Sequence, residues 1–216
     1  CKTKSAQTLS KKEIDVLVAN TNVISYKKGE TIFKQGAKIN QYVILVKGLC
    51  KVTVENPVDD NGTIVSIQKS ISIIGLTSLH DECYQATATA LDDCVVVFIA
   101  KEDFATLLKT NVDFTYAMFE YLCDFARKFC RQIVDFSQKT IMSRVASSIL
   151  YIADMVGDDY IDLPLTRKDL AEYSGIATGS TIRLLSELEH AGVIELEKKT
   201  IRIKNKEKLV LISQQE

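Results

Sequence analysis

Residues 166–190 read TRKDLAEYSGIATGSTIRLLSELEH, and this stretch decides the C-terminal fold. Thr166, with Asp169 three residues later, is a capping-box-like helix start in which aspartate replaces the usual glutamate or glutamine. Gly175 tolerates the left-handed conformation that ends a helix in a tight turn, and the small Ala171 lets a second helix cross closely. The apolar residues predicted to close the core are Ile176, Leu184, Leu185 and Leu188. This spacing predicts a helix-turn-helix.

The residues after this stretch predict a wing beside the second helix. The segment AGVIELEKKTIRI, residues 191–203, predicts two short strands around a turn at 197–199. The overlapping segment 198–208 is strongly basic, and Glu207 is its single acid. Its basic residues are Lys198, Lys199, Arg202, Lys204, Lys206 and Lys208. The cluster suits a phosphate backbone, but a solvated C-terminal face has the same composition, and this segment alone leaves both interpretations open.

The composition is that of a folded protein without a membrane segment. Of the 216 residues, 46% are hydrophobic, 25% are charged and 2 are proline, which allows one large domain or two small ones. The longest apolar run, CVVVFIA at 94–100, is too short to cross a bilayer, and no secretory signal is visible. The net charge of −1 predicts no global attraction to nucleic acid. Because the chain opens on Cys1, we expect a few native residues before it.

Cysteine usage indicates a reducing compartment. Six cysteines lie at positions 1, 50, 83, 94, 123 and 130, without a C-x-x-C pair. In a chain of this size the pattern predicts free thiols and a cytoplasmic location. Zinc and iron–sulfur sites need clustered ligands, so we predict no metal site and no cofactor.

The N-terminal half has the pattern of a β-domain. Between residues 23 and 99, short β-type runs such as ETIFKQG (30–36) and YVILVKG (42–48) alternate with turn residues. Their regular spacing predicts a β-sandwich or barrel with a jelly-roll-like course. The glycines at the ends of these runs, where a positive φ is expected, are Gly29, Gly36, Gly48 and Gly75.

The period changes after residue 111 to that of a long helix with two apolar lines. The first line steps by four and three, with Gln132 filling the gap before Phe136, and predicts a dimer seam. Its members are Met118, Leu122, Phe125, Phe129 and Phe136. The second line is predicted to face the β-domain. Its members are Phe119, Cys123, Ala126, Cys130 and Ile133.

The predicted fold class is α+β, in three parts. A jelly-roll-like β-barrel that serves as sensor domain occupies residues 1–111, and a dimerisation helix and hinge occupies 112–137. A winged helix-turn-helix occupies 138–216 and begins with a second helix predicted over 141–155.

Three segments, in this order, resemble the Crp/Fnr superfamily of bacterial transcription regulators. GETIFKQGAKINQYVILVKGLCKV (29–52) resembles its β-roll, NVDF (111–114) resembles the start of its dimer helix, and residues 165–203 resemble its winged helix-turn-helix. The resemblance implies a cyclic-nucleotide-binding-like sensor domain and a homodimer. It implies that the two recognition helices of the dimer enter successive major grooves of double-stranded DNA. It also implies contact with RNA polymerase and a small-molecule effector whose identity the sequence does not give.

The contacts to a cyclic nucleotide are replaced in this chain. Cyclic-AMP-responsive members carry a ribose-binding glutamate after the glycine at the position of Gly75, where this chain has Leu76. Their phosphate-clamping Arg-Ser pair corresponds to Gln85 and Ala86. A phosphate buried without its arginine is an uncompensated charge, which is costly. We therefore predict that the chain does not bind cyclic nucleotides.

The adenine-binding Thr-Ser pair of those members corresponds to Phe129 and Cys130. Tyr121, Phe125 and Phe129, if they face the roll, would line a pocket for an apolar effector. Ordinary core and dimer packing is the alternative interpretation of the same three side chains.

The sensor half contains few candidate residues for an iron–sulfur cluster, a haem or a redox-sensitive thiol. Only Cys1 lies where the oxygen-sensing branch of the family carries its cluster cysteines. His80 is the one histidine of the sensor half and hence the candidate haem ligand, although beside Asp81 and Glu82 it also suits an exposed loop. Cys83 is a candidate redox thiol without an adjacent basic residue.

The recognition helix departs from the family pattern. The usual Arg-Glu pair falls at Thr178 and Gly179, whereas the later arginine is retained as Arg183. Because arginine pairs bidentately with guanine, we predict that Arg183 makes the base-specific contact. The hydroxyls of Ser180 and Thr181 reach phosphates or base edges with less discrimination. The residues predicted to hold phosphates are Thr166, Arg167, Lys198 and Lys199.

The leading hypothesis is a homodimeric, sequence-specific transcription regulator whose sensor domain responds to a small molecule or a redox signal. The alternative is a ligand-independent regulator controlled by its own abundance. An enzyme is not predicted, because the chain has no P-loop, dinucleotide glycine pattern, H-E-x-x-H or G-x-S-x-G.

Overall fold

The computed structural model describes residues 8–19, 21–55, 62–157, 160–161, 165–197 and 200–215. Contacts divide the chain into two compact units, Cys1–Lys128 and Phe129–Glu216. The boundary between the units falls within one long helix. The three-part division with boundaries at 111 and 137 stays a prediction.

Two four-stranded antiparallel sheets form the body of the first unit. The strands are β1 (Asn22–Tyr26), β2 (Thr31–Phe33), β3 (Gln41–Lys47), β4 (Leu49–Glu55), β5 (Gly62–Lys69), β6 (Ser72–Ile74), β7 (Thr87–Ala90) and β8 (Cys94–Ala100). One sheet has the order β1-β8-β3-β6 and the other the order β2-β7-β4-β5. Successive strands such as β3 and β4 lie in different sheets, as in a jelly roll. The predicted jelly-roll-like β-domain is confirmed.

Alternating side chains in β8 show how the sheets enclose a core. Cys94, Val96 and Phe98 are buried, whereas the intervening Val95 and Val97 are partly exposed. Because successive side chains of a strand point to opposite faces, the first line lies on the core side of its sheet.

The turn between β3 and β4 requires a glycine. Gly48 has a φ of 94°, a left-handed conformation that side chains rarely adopt. A Cβ at this position would also lie 2.6 Å from the carbonyl oxygen of Asp93. Backbone from two parts of the roll therefore approaches closely at this turn.

Over the described residues, the first unit also contains α1 (Lys11–Ala19), α2 (Lys101–Thr110) and the first part of α3 (Val112–Gln138). The Phe104 ring of α2 lies 4.7 Å from the Tyr42 ring and 5.7 Å from the Phe114 ring of α3, between centroids. These aromatic contacts attach the helices to the roll.

The faces predicted for α3 are exchanged in the structure. Met118 and Leu122, predicted to form the dimer seam, pack into the β-roll core of their own chain, and Phe125 is partly buried. The line predicted to face the β-domain is exposed instead; it comprises Phe119, Cys123, Ala126, Cys130 and Ile133. Both lines are apolar at helical spacing, so periodicity did not distinguish them. The burial of Phe114 and Ala117 fixes which face meets the roll.

The second unit contains the rest of α3 and a smaller α-rich fold. Its further elements are α4 (Ile141–Val156), β9 (Tyr160–Ile161), α5 (Arg167–Ser174), α6 (Thr178–His190), β10 (Ile194–Glu197), β11 (Thr200–Ile203) and α7 (Lys206–Ser213). The strands form a sheet in the order β10-β11-β9. The helix predicted over 141–155 and the two strands predicted after the helix-turn-helix are confirmed.

Two residues of the predicted dimer seam lie in this unit. Phe129 is exposed, whereas the Phe136 ring centroid lies 5.8 Å from the guanidinium carbon of Arg144. Arg144 Nη1 also donates a hydrogen bond to the carbonyl oxygen of Gly175 at 3.3 Å. Phe136 packs against Arg144 but is also 36% exposed, so its place in the seam stays a prediction.

Candidate nucleic-acid interface and sensor pocket

The helix-turn-helix consists of α5, a tight turn and α6. At the start of α5, Thr166 Oγ1 accepts a hydrogen bond from the Asp169 N–H at 3.1 Å, and Asp169 Oδ2 accepts one from the Thr166 N–H at 2.8 Å. The predicted capping box, with aspartate in the role of glutamate, is confirmed. Gly175 ends α5 with a φ of 64°, and the Ile176 N–H donates to the Ala171 carbonyl at 3.0 Å.

One face of α6 is buried in the core of the second unit. Leu184, Leu185 and Leu188 are at most 3% exposed, as predicted, whereas Ile176 in the turn is partly exposed. Ala171 of α5 is buried as well, which agrees with a close crossing of the two helices.

Thr181 lies on this buried face, which corrects its assignment to DNA. Its side chain is fully buried, and its Oγ1 donates to the Ala177 carbonyl at 3.3 Å. An α-helix has 3.6 residues per turn, so the four consecutive residues 178–181 cannot all face outward.

The opposite face of α6 is exposed and almost free of long polar side chains. Thr178, Gly179, Ile182 and Arg183 are exposed, and Ser180 is partly exposed. A Cβ added at Gly179 would meet no atom within 4 Å. The outward face therefore has no large side chain in the first turn of α6, and its large side chains, Ile182 and Arg183, lie one turn later.

Arg183 is the cation of this outward face. Its side chain is 65% exposed, and its Nη1 lies 3.8 Å from Oε1 of Glu187, one turn further along α6. An ion pair this exposed contributes little to stability, so the guanidinium can exchange the carboxylate for a base edge at small cost. Sequence reasoning missed Glu187, although its spacing of four residues from Arg183 is the signal that finds such pairs.

Of the two phosphate contacts predicted at the start of α5, Thr166 is engaged in the helix cap and Arg167 remains a cation. The Thr166 hydroxyl donates to Asp169 Oδ2 at 2.7 Å, so its oxygen belongs to the helix cap. Arg167 is partly buried; desolvation lowers the pKa of its guanidinium, and the nearby Glu189 raises it. An arginine stays protonated at such shifts, so Arg167 keeps its positive charge.

The wing is formed by β10 and β11, which pair antiparallel. Two of its basic side chains share one acid: Arg202 Nη1 lies 3.4 Å and Lys204 Nζ lies 3.1 Å from Glu195 Oε2. Lys198 and Lys199, predicted to hold phosphates, lie outside the described residues.

Aromatic rings fill the corner of the sensor domain around Gly75. Gly75 has a φ of 80° and precedes a short 3-10 turn, Leu76–Ser78. A Cβ on Gly75 would lie 3.1 Å from Tyr84 and 3.3 Å from Phe33, and those two rings stack with centroids 4.0 Å apart. The Tyr84 hydroxyl donates to the Gln41 carbonyl at 2.5 Å, and burial raises the pKa of Tyr84 to about 12.

The residues that replace the nucleotide contacts do not offer a phosphate site. Leu76 is buried and Ala86 is partly exposed. The backbone N–H of Gln85 donates to Ser78 Oγ at 3.0 Å, and its side-chain amide donates to a neighbouring carbonyl at 3.1 Å. The segment 75–86 contains no lysine or arginine.

The effector pocket predicted around Tyr121, Phe125 and Phe129 stays a prediction. Tyr121 and Phe125 lie on α3 in the first unit and are partly buried, and the Tyr121 hydroxyl donates to the Ile73 carbonyl at 3.3 Å. Phe129, on the same helix, is exposed. His80 is exposed. Among the described residues, no three histidine, cysteine or carboxylate side chains are grouped so as to hold a metal ion.

Two family models match the chain. The cyclic nucleotide-binding domain matches residues 23–111, and the Crp-like helix-turn-helix domain matches residues 143–212. The first range coincides with the β-roll, and the second contains α5, α6 and the wing.

Relatives and solved structures agree with this match. Transcriptional activator protein FnrL of Cereibacter sphaeroides is 24% identical over 184 residues, covering 81% of this chain and 73% of its own. The cAMP-activated global transcriptional regulator Vfr of Pseudomonas aeruginosa is 23% identical over 201 residues, covering 88% and 92%. The structure of FixK2 from Bradyrhizobium japonicum is similar with a TM-score of 0.81 at 20% identity, covering 91% of this chain and 98% of that one.

A β-roll, a long helix and a winged helix-turn-helix together define a DNA-binding transcription regulator, and the comparisons indicate this class and not an enzyme. The chain belongs to the Crp/Fnr superfamily, which confirms the predicted family. Over the residues that the structure covers, no helix is both long and apolar enough to cross a bilayer.

Proposed function

We propose that the chain acts as a homodimer that recognises a two-fold symmetric DNA site by sequence and regulates transcription there. The observation that carries this proposal is the outward face of α6: Arg183 is exposed on it, while Leu184 and Leu185 fix the helix from behind. A helix held in this way presents its first two turns to a major groove. Arg183 pairs with a guanine there through its two N–H groups.

Backbone and charged groups around α6 supply phosphate contacts. α6 begins at Thr178 after Ala177, whose side chain cannot cap the helix. The N–H groups of its first turn therefore remain available to a phosphate oxygen. Arg167, Lys198 and Lys199 add the charge that makes the affinity depend on salt.

The exposed line of α3 forms the dimer seam in this proposal. It runs through Val112, Tyr116, Phe119, Cys123, Ala126, Cys130 and Ile133. The steps alternate between four and three residues, which is the spacing of a two-stranded coiled coil. Val112 is 79% exposed, and Tyr116 and Phe119 are each 64% exposed, so the line presents large apolar side chains that a partner helix would bury.

Selection of bound DNA from a pool of random duplexes tests the proposed function. We expect enrichment of a site with two inverted half-sites whose centres lie one helical turn apart, each with a guanine that Arg183 reads. Enrichment of an asymmetric site, or of no site above the random pool, would contradict the proposal. Contact with RNA polymerase is part of the same proposal, and transcription in vitro from the selected site tests it.

The sensor domain responds, in this proposal, to a small molecule or redox signal other than a cyclic nucleotide. The filled Gly75 corner favours a second candidate, a regulator that needs no ligand. The stacked rings of Tyr84 and Phe33 pack directly against Gly75. Under this second candidate, protein refolded from denaturant, and thereby freed of small molecules, would bind its selected site with the same affinity as protein that was never unfolded, whereas loss of a bound effector would change that affinity.

Titration calorimetry with cyclic AMP and cyclic GMP is expected to give no heat beyond dilution. The segment 75–86 has no arginine or lysine at the positions of the family's phosphate clamp, and Leu76 cannot accept a hydrogen bond from the ribose. AMP serves as the control ligand. A saturable heat with cyclic AMP and none with AMP would show that the site persists with other contacts.

A further inference from the structure

Ile182 is an apolar side chain exposed where the proposed function places DNA. It is 49% exposed on α6, beside Arg183. Positions 179, 182, 183 and 186 are spaced by three and four residues, so they share one face of the helix. The core residues of α6 lie on the opposite face, and the packing of the second unit therefore does not account for Ile182.

The neighbours of Ile182 leave its side chain open to a ligand. Gly179, one turn earlier, has no side chain, and a Cβ there would meet no atom within 4 Å. Ser186, one turn later, turns its hydroxyl back to the Ile182 carbonyl at 3.3 Å. A surface that approaches this face of α6 therefore meets Ile182 and Arg183 as its first bulky groups.

The chemistry of the major groove offers one apolar group to such a side chain. Thymine presents a C5-methyl group there, whereas the edges of the other bases are hydrogen-bond donors and acceptors. Isoleucine is β-branched, so its χ1 angle is nearly fixed within a helix and its methyl groups are held in place before binding. Contact with a methyl group then costs little side-chain entropy.

We propose that Ile182 contacts the C5-methyl group of a thymine in each half-site and is a specificity-determining residue beside Arg183. The proposal rests on the proposed DNA-binding function and deepens it. The two adjacent side chains would read neighbouring base pairs, Arg183 by hydrogen bonds to guanine and Ile182 by apolar contact with thymine.

Replacing single thymines of the selected site by deoxyuridine, symmetrically in both half-sites, tests the proposal. Deoxyuridine lacks only the methyl group. At one thymine position, we expect the affinity of the unaltered protein to fall by about 4-fold per half-site, which corresponds to the loss of one buried methyl group. The Ile182→Ala variant should bind the thymine and deoxyuridine duplexes equally. Ile182 is exposed, so its truncation should leave the thermal midpoint of unfolding nearly unchanged.

A matched control truncates another exposed apolar residue of the same unit. Leu211 of α7 is 64% exposed, and Leu211→Ala should retain the full sensitivity to deoxyuridine. If every deoxyuridine duplex weakens the unaltered protein and Ile182→Ala by the same factor, Ile182 is not the thymine reader, although DNA recognition stands. A selected half-site without thymine overturns the proposal in the same way. Failure to select any site overturns the proposed function itself.

Discussion

Arg183→Ala is expected to lower the affinity for the selected DNA site by about 5- to 160-fold per half-site, because a bidentate arginine–guanine pair contributes roughly 1–3 kcal/mol of discrimination. The dimer carries two such pairs, so the free-energy losses add over both half-sites. Binding to random duplex should change much less, since phosphate contacts from other residues dominate it. Fluorescence anisotropy titrations of both duplexes at one salt concentration measure the two effects.

Two further variants distinguish recognition of a base by Arg183 from the general effect of positive charge on DNA affinity. Arg183→Lys keeps the positive charge but loses the planar fork, so it should be nearly as weak as Arg183→Ala on the selected site. Lys27→Ala removes a charge from a side chain of the first unit that is 77% exposed, and it should leave both affinities unchanged. If lysine restores the affinity, or if alanine weakens both duplexes equally, Arg183 is a phosphate contact.

The helix-turn-helix could be predicted from the sequence because local chemistry determines it. The capping box joins Thr166 and Asp169, which are three positions apart. The left-handed conformation of Gly175 is a property of one residue's backbone. Such features need no knowledge of the tertiary fold. The β-roll could be predicted for a related reason, since alternation along each strand already separates its two faces.

The faces of α3 could not be assigned from the sequence, because both of its lines are apolar. The choice depends on which line meets the roll, and that contact joins residues distant in sequence, such as Tyr121 and Ile73. Thr181 faces the core because residues 178–181 span a full helical turn, and their small polar side chains do not indicate which of the four points inward. The filled sensor corner was also beyond the sequence, because Phe33 and Tyr84 meet only in the folded roll.

Charge in the exposed line of α3 is expected to abolish the dimer. Phe119→Asp and Ile133→Asp each place a carboxylate in the proposed seam, where it would face its copy on the partner helix. Burial of two like charges is strongly unfavourable. A monomer holds a single half-site, so affinity for the full site should fall by about 100-fold or more as the gain from bivalent binding is lost. Light scattering coupled to size-exclusion chromatography measures the mass of each variant.

Val134→Asp is the matched control for this prediction. Val134 is 48% exposed against 52% for Ile133, but it lies one residue round the helix, beside the seam, where coiled coils accept charges. It should remain dimeric. A monomeric Val134→Asp together with a dimeric Ile133→Asp would place the seam on a different face.

Cross-linking of the native cysteines provides an independent test of which face of α3 forms the dimer seam. Equivalent positions of two parallel helices face each other, so Cys123 and Cys130 should each meet their copies at a separation that a disulfide spans. Oxidation with diamide should therefore yield a covalent dimer on non-reducing gels, while Cys123→Ser combined with Cys130→Ser should remove it and Cys83→Ser should not. Cys50 and Cys94 are buried and cannot substitute. The exposed line of α3 brings these thiols together in any parallel pairing. If the protein is dimeric in solution but forms no such cross-link, the two chains must therefore associate through another surface.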